Sequence, residues 1–126
     1  MERQIENLKI LIVEDDEISF FLLNYLFMKI SKEILHAKNG VEAVEICKNN
    51  SDIDLIMMDI QMPLMDGYEA TRKIRQFNKN SIIIAQTGNE YKGYNDKAIE
   101  AGCNECVSKP IALNKLKSLI LKYFIK

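Results

Sequence analysis

Five short apolar runs, each followed by a segment with helical periodicity, constrain the fold of this 126-residue chain more than any other feature. Each run is rich in β-branched residues and ends at polar or turn-forming residues, which is typical of strands buried on both faces of a parallel sheet. The predicted strands are residues 9–13, 33–37, 54–58, 81–85 and 103–108, and the predicted helices are residues 18–30, 41–49, 67–77, 91–101 and 113–125. This alternation predicts an α/β fold with a doubly wound parallel sheet of five strands and right-handed crossovers.

The length fits one domain, which we predict to span residues 9–126 after a polar lead-in of residues 1–8. A formal net charge of −1 gives neither a basic footprint for nucleic acid nor a polybasic patch for membrane contact. The amino terminus lacks the apolar core of a signal peptide, and the apolar cluster 20–28 is interrupted by Asn24 and too short to span a bilayer. Three cysteines, an odd number, favour a reducing compartment. The chain is therefore predicted to be cytoplasmic.

Four of the predicted strands end in polar side chains. These are Glu14 and Asp15 after the first strand, Asp59 after the third, Thr87 after the fourth and Lys109 after the fifth. The carboxyl ends of parallel strands meet at one edge of the sheet, where open α/β sheets bind ligands. Taken alone, Asp59 is also explained as a turn former or helix cap, and the acids at 14–17 as a solvated loop before a helix. The five positions together favour a site.

In the strand order 2-1-3-4-5 the first and third strands are neighbours, so Glu14, Asp15 and Asp59 would lie close together. Like charges at short range cannot all stay ionised without a cation or a proton. Carboxylate oxygens suit a hard cation such as Mg²⁺ (or Mn²⁺). Lys109 adds an ammonium group and Thr87 a hydroxyl donor. The set therefore predicts a phosphoryl-transfer site in which Asp59 is the nucleophile and forms an aspartyl phosphate.

These residues lie in four motifs that are specific when taken together. The motifs are Ile-Leu-Ile-Val-Glu-Asp-Asp-Glu at 10–17, Met-Met-Asp-Ile-Gln-Met-Pro-Leu-Met-Asp-Gly at 57–67, Ile-Ile-Ile-Ala-Gln-Thr-Gly at 82–88 and Cys-Val-Ser-Lys-Pro at 106–110. With them, the chain from residue 9 to residue 124 resembles the receiver domains of two-component response regulators. The resemblance implies a flavodoxin-like fold of strand order 2-1-3-4-5 and a phosphoacceptor role in a phosphorelay.

By this resemblance, a histidine kinase or a histidine phosphotransfer domain donates a phosphoryl group to Asp59. The domain would catalyse only its own phosphorylation and dephosphorylation, so it would not be an enzyme acting on a separate substrate. Asp15 would bind Mg²⁺ directly, Glu14 mainly through water, and Gln61 through its backbone carbonyl.

The resemblance also assigns Thr87 and Lys109 to the phosphoryl oxygens and implies a cis peptide bond between Lys109 and Pro110. Two positions depart from the family pattern. Cys106 stands where most receivers have a Tyr or Phe ring that moves with the threonine, so we expect weak coupling between the switch positions Thr87 and Cys106. Gln86 stands where an apolar residue is common, so the fourth strand is expected to end slightly differently.

The first predicted helix carries more apolar residues than one buried face requires. Its predicted buried stripe consists of Ser19, Leu22, Leu23 and Leu26. This assignment leaves Phe20, Phe21 and Phe27 outside the buried stripe, and the exposure of Phe20 and Phe21 suggests a docking surface for the kinase or phosphotransfer partner. Broader packing against a neighbouring helix is the alternative interpretation.

Two other features are interpreted as structural. His36, the single histidine, lies in the second predicted strand and is placed away from the acidic cluster, in a structural or exposed role. Cys103 and Cys106 have the spacing of a redox motif, but they open a strand rather than a helix, so we interpret them as buried small residues.

Three functions remain open from the sequence. The first is a signalling receiver, and the motif around Asp59 resembles those of hybrid histidine kinase receivers. The second is a Mg²⁺-dependent phosphohydrolase, which is disfavoured because hydrolases of the haloacid dehalogenase type need an acid where this chain has Gln61. The third is a degenerate receiver that acts as a binding scaffold. Whether phosphorylation drives dimerisation is also left open.

Overall fold

Parallel pairing of five strands organises the structure, a computed structural model that describes residues 7–88 and 92–125, with backbone only at 92–95. The strands are β1 (Leu8–Val13), β2 (Ser31–Ala37), β3 (Leu55–Asp59), β4 (Ile82–Thr87) and β5 (Glu105–Ser108). The helices are α1 (Glu17–Phe27), α2 (Gly40–Asn49), α3 (Gly67–Arg75), α4 (Lys92–Ala101) and α5 (Leu113–Phe124), and a 3-10 turn, Met28–Ile30, follows α1. The strand order β2-β1-β3-β4-β5 confirms the predicted doubly wound fold.

Alternate side chains of the sheet pack against two helical layers. On one side, which we call the α1/α5 face, the sheet packs against Leu23 and Phe27 of α1 and Leu116 and Ile120 of α5. The opposite face packs against α2, α3 and α4. β1 and β3 are buried along their whole length, as expected for central strands that helices cover on both sides. The sheet residues of the α1/α5 face include Ile10, Ile12, Leu55, Met57 and Ile84.

Short polar side chains begin three of the helices. The cap residues are Asp16 for α1, Asn39 for α2 and Asp66 for α3, and each accepts a hydrogen bond of 2.8–2.9 Å from the backbone N–H three residues later. Such a bond satisfies one of the donors that a helix start leaves unpaired. The hydrogen bonds from the hydroxyl and backbone N–H of Ser19 hold the pKa of Asp16 below its usual range. Asp16 is thus committed to the helix start rather than to the acidic cluster.

The buried face of α1 differs from the prediction. Phe27 is fully buried and Leu23 is 5% exposed, whereas Leu22, which the predicted stripe included, is 55% exposed. Phe20 is half-buried and its ring stacks on His36, with ring centroids 3.7 Å apart. The interpretation of Phe20 as exposed is therefore wrong. Because α1 is apolar around most of its circumference, the sequence allows two overlapping stripes, and the structure buries the one that contains the large Phe27 ring.

A buried lysine marks the amino edge of the sheet, opposite the predicted site. Lys9 is 7% exposed, and its ammonium group lies 2.9 Å from Asp52, 2.9 Å from Asn50 and 3.6 Å from Glu33. The two acids are largely exposed, so solvent shares their charge. Solvent therefore screens the charges at this edge.

Several predicted boundaries shift by one to three residues. β1 begins at Leu8, which is 8% exposed, although the lead-in was predicted to include it. Residues 1–6 of that lead-in and Tyr91, the predicted start of the fourth helix, lie outside the described residues. Gly102 follows α4 with a φ of 117°, a conformation that favours glycine and is typical of the residue after the end of a helix. No helix in the described part of the chain is long and apolar enough to cross a membrane.

Replacing Phe27 by alanine is expected to lower the free energy of unfolding by about 3–5 kcal/mol, because it empties a fully buried ring site. Leu22→Ala, on the same helix, is the matched control and is expected to cost less than about 1 kcal/mol. Urea unfolding followed by circular dichroism measures both values. Equal losses in the two variants would contradict the observed orientation of α1.

Candidate functional site

A row of buried polar side chains crosses the carboxyl edge of the α1/α5 face. Val13 of β1 pairs with Met58 of β3, so the next residue, Glu14, lies beside Asp59. Asp59 in turn pairs with Gln86 of β4. Glu14, Asp59 and Gln86 are each only 1–2% exposed. Three polar groups are thus brought together at the end of three adjacent apolar strands.

The loop after β3 fixes the position of Asp59. The backbone N–H of Gln61 donates to Asp59 Oδ1 at 3.2 Å, and the backbone N–H of Gly67 donates to the carbonyl of Ile60 at 3.0 Å. A Cβ atom at Gly67 would lie 2.4 Å from the backbone oxygen of Asp59, so only glycine allows α3 to start this close to the strand. Gln61 itself is exposed.

Lys109 supplies the one cation that contacts the buried acids among the described residues. Its Nζ lies 2.8 Å from Glu14 Oε1 and 3.1 Å from Asp59 Oδ2. The backbone N–H of Lys109 donates to the carbonyl of Thr87 at 2.9 Å, which ties the residue to the end of β4. The peptide bond to Pro110 is cis, as the resemblance implied.

The carboxylates fit a hard divalent cation. Glu14, Asp15 and Asp59 can each offer an oxygen, and the three atoms lie within 4.8 Å of one another; no other such acidic, histidine or cysteine group of three or more occurs in the described ranges. Glu14 and Asp59 are buried, whereas Asp15 is exposed. All-oxygen donors with one side open to solvent suit Mg²⁺, which usually keeps several waters.

Burial sets the electrostatics of the site. Burial, together with the negative charge of Glu14, raises the pKa of Asp59 to about 7, and the nearby Lys109 opposes this shift. Burial by itself lowers the pKa of Lys109, but its contact with Glu14 and the charges of both acids outweigh that effect, so the pKa is raised. One ammonium group therefore faces two buried carboxyl groups. Among the described residues, no second cation contacts these acids to balance the remaining negative charge.

His36 lies closer to the acids than the sequence interpretation allowed. Its Nε2 forms a 2.8 Å hydrogen bond with the backbone oxygen of Glu14, so its placement away from the acidic cluster is wrong. The parallel pairing of β1 with β2 brings it there, since His36 is the register partner of Ile12. The backbone N–H of Asp16 donates to Glu14 Oε2 at 3.2 Å. Both contacts hold the acidic loop after β1.

The profile of the response regulator receiver domain family matches residues 10–121 of this chain. The chain belongs to this family. The resemblance drawn from the four sequence motifs is thus confirmed.

Three known proteins illustrate the similarity. Part of hybrid signal transduction histidine kinase G from Dictyostelium discoideum is 41% identical over 126 residues, which covers 94% of this chain and 4% of that kinase. The solved receiver domain of Ssk1 from Saccharomyces cerevisiae, in a co-crystal with the histidine phosphotransfer protein Ypd1, aligns with a TM-score of 0.85 and 34% identity over 96% of this chain and 91% of that one. The receiver domain of sensor histidine kinase PA1611 from Pseudomonas aeruginosa, with a magnesium ion in its active site cleft, has a TM-score of 0.81 and 28% identity over 93% of this chain and 97% of that one.

This receiver spans only 4% to 17% of the length of the first curated relatives that it matches. Those relatives include sensor and hybrid histidine kinases. The similarity to these relatives is therefore limited to a receiver-sized part of each larger protein.

The two predicted switch positions lie on neighbouring strands of this receiver. Thr87 ends β4 and is buried, one residue beyond the position that pairs with Asp59. Cys106 pairs with Ala85, two residues before Thr87, and is half-buried against the core of the opposite face. Burial raises the pKa of its thiol, so the thiol stays neutral at physiological pH.

Cys103 is also a packing residue in this structure. It is 4% exposed and its sulfur lies 3.6 Å from the hydroxyl of Thr71. Burial raises the pKa of Cys103 to about 11. A buried, neutral thiol is chemically inert, which supports the interpretation of this cysteine as a small core residue.

Without divalent cations, Asp59→Asn is expected to raise the free energy of unfolding at pH 8, on the order of a few kcal/mol, because it removes one of two buried negative charges that share the single Lys109 ammonium group. The pKa of Asp59 is higher in the folded chain than its ordinary 3.8, so ionising this acid costs stability as the pH rises from 3.8 to about 7. The gain from the substitution should therefore be smaller at pH 5 than at pH 8.

Urea unfolding at both pH values tests this expectation, with Glu45→Gln as the control for removing an exposed acid from α2. A stabilisation of equal size at pH 5 and pH 8 would contradict the raised pKa of Asp59.

Proposed function

We propose that this receiver accepts a phosphoryl group on Asp59 from the phosphohistidine of a histidine kinase or a histidine phosphotransfer protein. The observation that carries the proposal is a buried aspartate at a strand end, with Glu14 and Asp15 beside it and the Lys109 ammonium 3.1 Å from its carboxylate. A divalent cation, Mg²⁺ or Mn²⁺, would be held by Glu14, Asp15 and Asp59, with the backbone carbonyl of Gln61 as a further oxygen. When bound, it neutralises the charge of the acids and of the phosphoryl oxygens.

Asp59 acts as the nucleophile in this proposal. A carboxylate oxygen attacks phosphorus, the new O–P bond forms as the N–P bond to the donor imidazole breaks, and the imidazole nitrogen leaves with the bonding electron pair. Only the ionised carboxyl group can attack. Lys109 lowers the pKa of Asp59 and so favours the reactive form.

Lys109 and Thr87 act on the group being transferred. The Lys109 ammonium already lies at the acceptor carboxylate, so a small movement brings it to a phosphoryl oxygen. The Thr87 hydroxyl lies at the end of β4, next to the residue that pairs with Asp59, where it can donate to a second oxygen. Both groups stabilise negative charge on the phosphoryl oxygens, beside Glu14 and Asp59, which are largely shielded from water.

The exposed side of α1 is proposed to dock the donor protein. Ile18, Phe21, Leu22 and Tyr25 are each more than half exposed and recur at the spacing of one helical face. This face begins directly after the acids of the loop at 14–16. Similarity to a receiver crystallised with Ypd1 supports a phosphotransfer protein as the partner. Phe21 keeps its predicted docking role, and Phe20 contributes by supporting α1 on β2.

The larger context is proposed from the relatives. Several of these relatives are sensor or hybrid histidine kinases. This similarity favours a receiver that serves a phosphorelay over a phosphohydrolase that acts on free substrates. The phosphohydrolase alternative also lacks the second acid, since Gln61 occupies that position.

Incubation with acetyl phosphate and Mg²⁺ is expected to add one phosphoryl group to the native chain and none to Asp59→Asn. Intact-mass spectrometry measures the gain, and omission of the cation should abolish it because the acids then repel the incoming phosphoryl group. A folded, Mg²⁺-binding native chain that gains no mass would refute Asp59 as an acceptor and favour the scaffold function.

Phe21→Ala is expected to slow phosphotransfer from a histidine phosphotransfer protein that phosphorylates the native chain, by about tenfold, because an exposed aromatic contact at an interface is lost. Phosphorylation by acetyl phosphate should not change, because the acceptor site is untouched. Val41→Ala removes an exposed apolar side chain from α2 and serves as the control. Equal transfer rates for the native chain and Phe21→Ala would remove α1 as the docking surface.

A further inference from the structure

Gln86 has no assigned role, although it is one of the most deeply buried polar side chains of the receiver. It is 1% exposed and lies on β4, between β3, which ends at Asp59, and β5, which Lys109 follows. A buried carboxamide costs free energy unless both its donor and its acceptor groups are paired. An apolar residue of similar length would fill the same space without that cost, so packing alone does not account for Gln86.

Sheet geometry places Gln86 beneath the side chain of Lys109. Gln86 pairs with Val107, and Lys109 follows two residues later on the same face. To reach Asp59 and Glu14 from the end of β5, the lysine side chain must cross β4, where Gln86 is the residue on that face. Adjacent strands lie about 4.8 Å apart. Gln86 is thus one strand from Asp59 and two strands, about 9.6 Å, from the strand that ends at Glu14, a gap that the two long side chains can bridge.

Two buried side-chain atoms of the described residues lack a hydrogen-bond partner, and they are complementary. One is a donor, Gln86 Nε2, and the other is an acceptor, Glu14 Oε1. Glu14 Oε1 lies 2.8 Å from Lys109 Nζ, but the approach makes an ion pair without the angles of a hydrogen bond. Glu14, Gln86 and Lys109 line one cavity of about 360 Å³, whose lining also includes Leu22, Leu23 and Leu26 of α1.

We propose that Gln86 is a positioning residue that donates a hydrogen bond to Glu14 when Lys109 leaves that carboxylate for the phosphoryl group. The inference rests on the proposed phosphoacceptor function of Asp59. Lys109 holds both acids in the structure, and its turn toward a phosphoryl oxygen withdraws the cation from Glu14 Oε1. The carboxamide of Gln86, which lines the same cavity, then takes the place of Lys109 as the buried partner of Glu14. Glu14 stays oriented toward the acidic cluster while Lys109 serves the phosphoryl group.

The role predicts opposite effects in the empty and loaded states. Gln86→Met keeps the length of the side chain and removes the donor. Without ions it should leave the melting temperature unchanged or higher, because an unpaired buried donor is lost. With saturating Mg²⁺ it should weaken the binding of beryllofluoride, a phosphoryl mimic, by about tenfold, because one hydrogen bond to a charged group is missing.

Three readouts test the role of Gln86 in the full chain. Calorimetric titration gives the beryllofluoride affinity, thermal unfolding without ions gives the stability, and the side-chain amide signal of Gln86 in ¹⁵N–¹H spectra should shift on loading. Ile84→Met, two residues earlier on the same face of β4, is the matched packing control and should leave the affinity at the native value.

Each outcome decides between explanations. Native affinity in Gln86→Met, or an amide signal that does not move on loading, overturns the proposal. Parallel losses of stability without ions and of affinity assign Gln86 to packing alone and also overturn it. A native chain that neither binds beryllofluoride nor gains mass from acetyl phosphate refutes the phosphoacceptor function itself, which the Gln86→Met result by itself cannot do.

Discussion

One ammonium group facing two buried carboxyl groups is the interaction on which the functional edge of this receiver depends. Lys109 contacts both Glu14 and Asp59, and the sheet register places these acids side by side. At the opposite edge, Lys9 contacts acids that are largely exposed, so solvent screens their negative charges. The carboxyl edge therefore retains an excess of buried negative charge, which suits the recruitment of a divalent cation.

The sequence predicts the sheet well because its central strands are short, β-branched and buried on both faces. For the same reason the ends of those strands could be identified, and with them Glu14, Asp59 and Lys109. The strands and their ends are encoded locally, by runs of a few residues. The strand order 2-1-3-4-5 is instead what the family resemblance implies, and the structure places the first and third strands together as expected.

Other features depend on long-range contacts that a single sequence does not encode. The predicted buried face of α1 is wrong because the helix is apolar on most sides. Only packing against the core selects Phe27 rather than Leu22 for burial. The position of His36 was missed because its partner is the backbone oxygen of Glu14, which carries no side-chain signature. Gln86 departs from the family pattern in the sequence, but only its pairing with Asp59 across β3 and β4 relates it to the acceptor.

The hydrogen bond from the backbone N–H of Lys109 to the carbonyl of Thr87 has a mechanical consequence. The family resemblance implies that an aromatic ring at the position of Cys106 would rotate as the threonine moves. The small thiol of Cys106 has no ring that could rotate in this way. A displacement of Thr87 toward a phosphoryl group would instead pull on the main chain of Lys109 and, through the short segment after it, on the start of α5. We therefore expect phosphorylation of this receiver to shift the backbone of this surface as a whole. It should not act by exchanging one exposed aromatic ring between two rotamers.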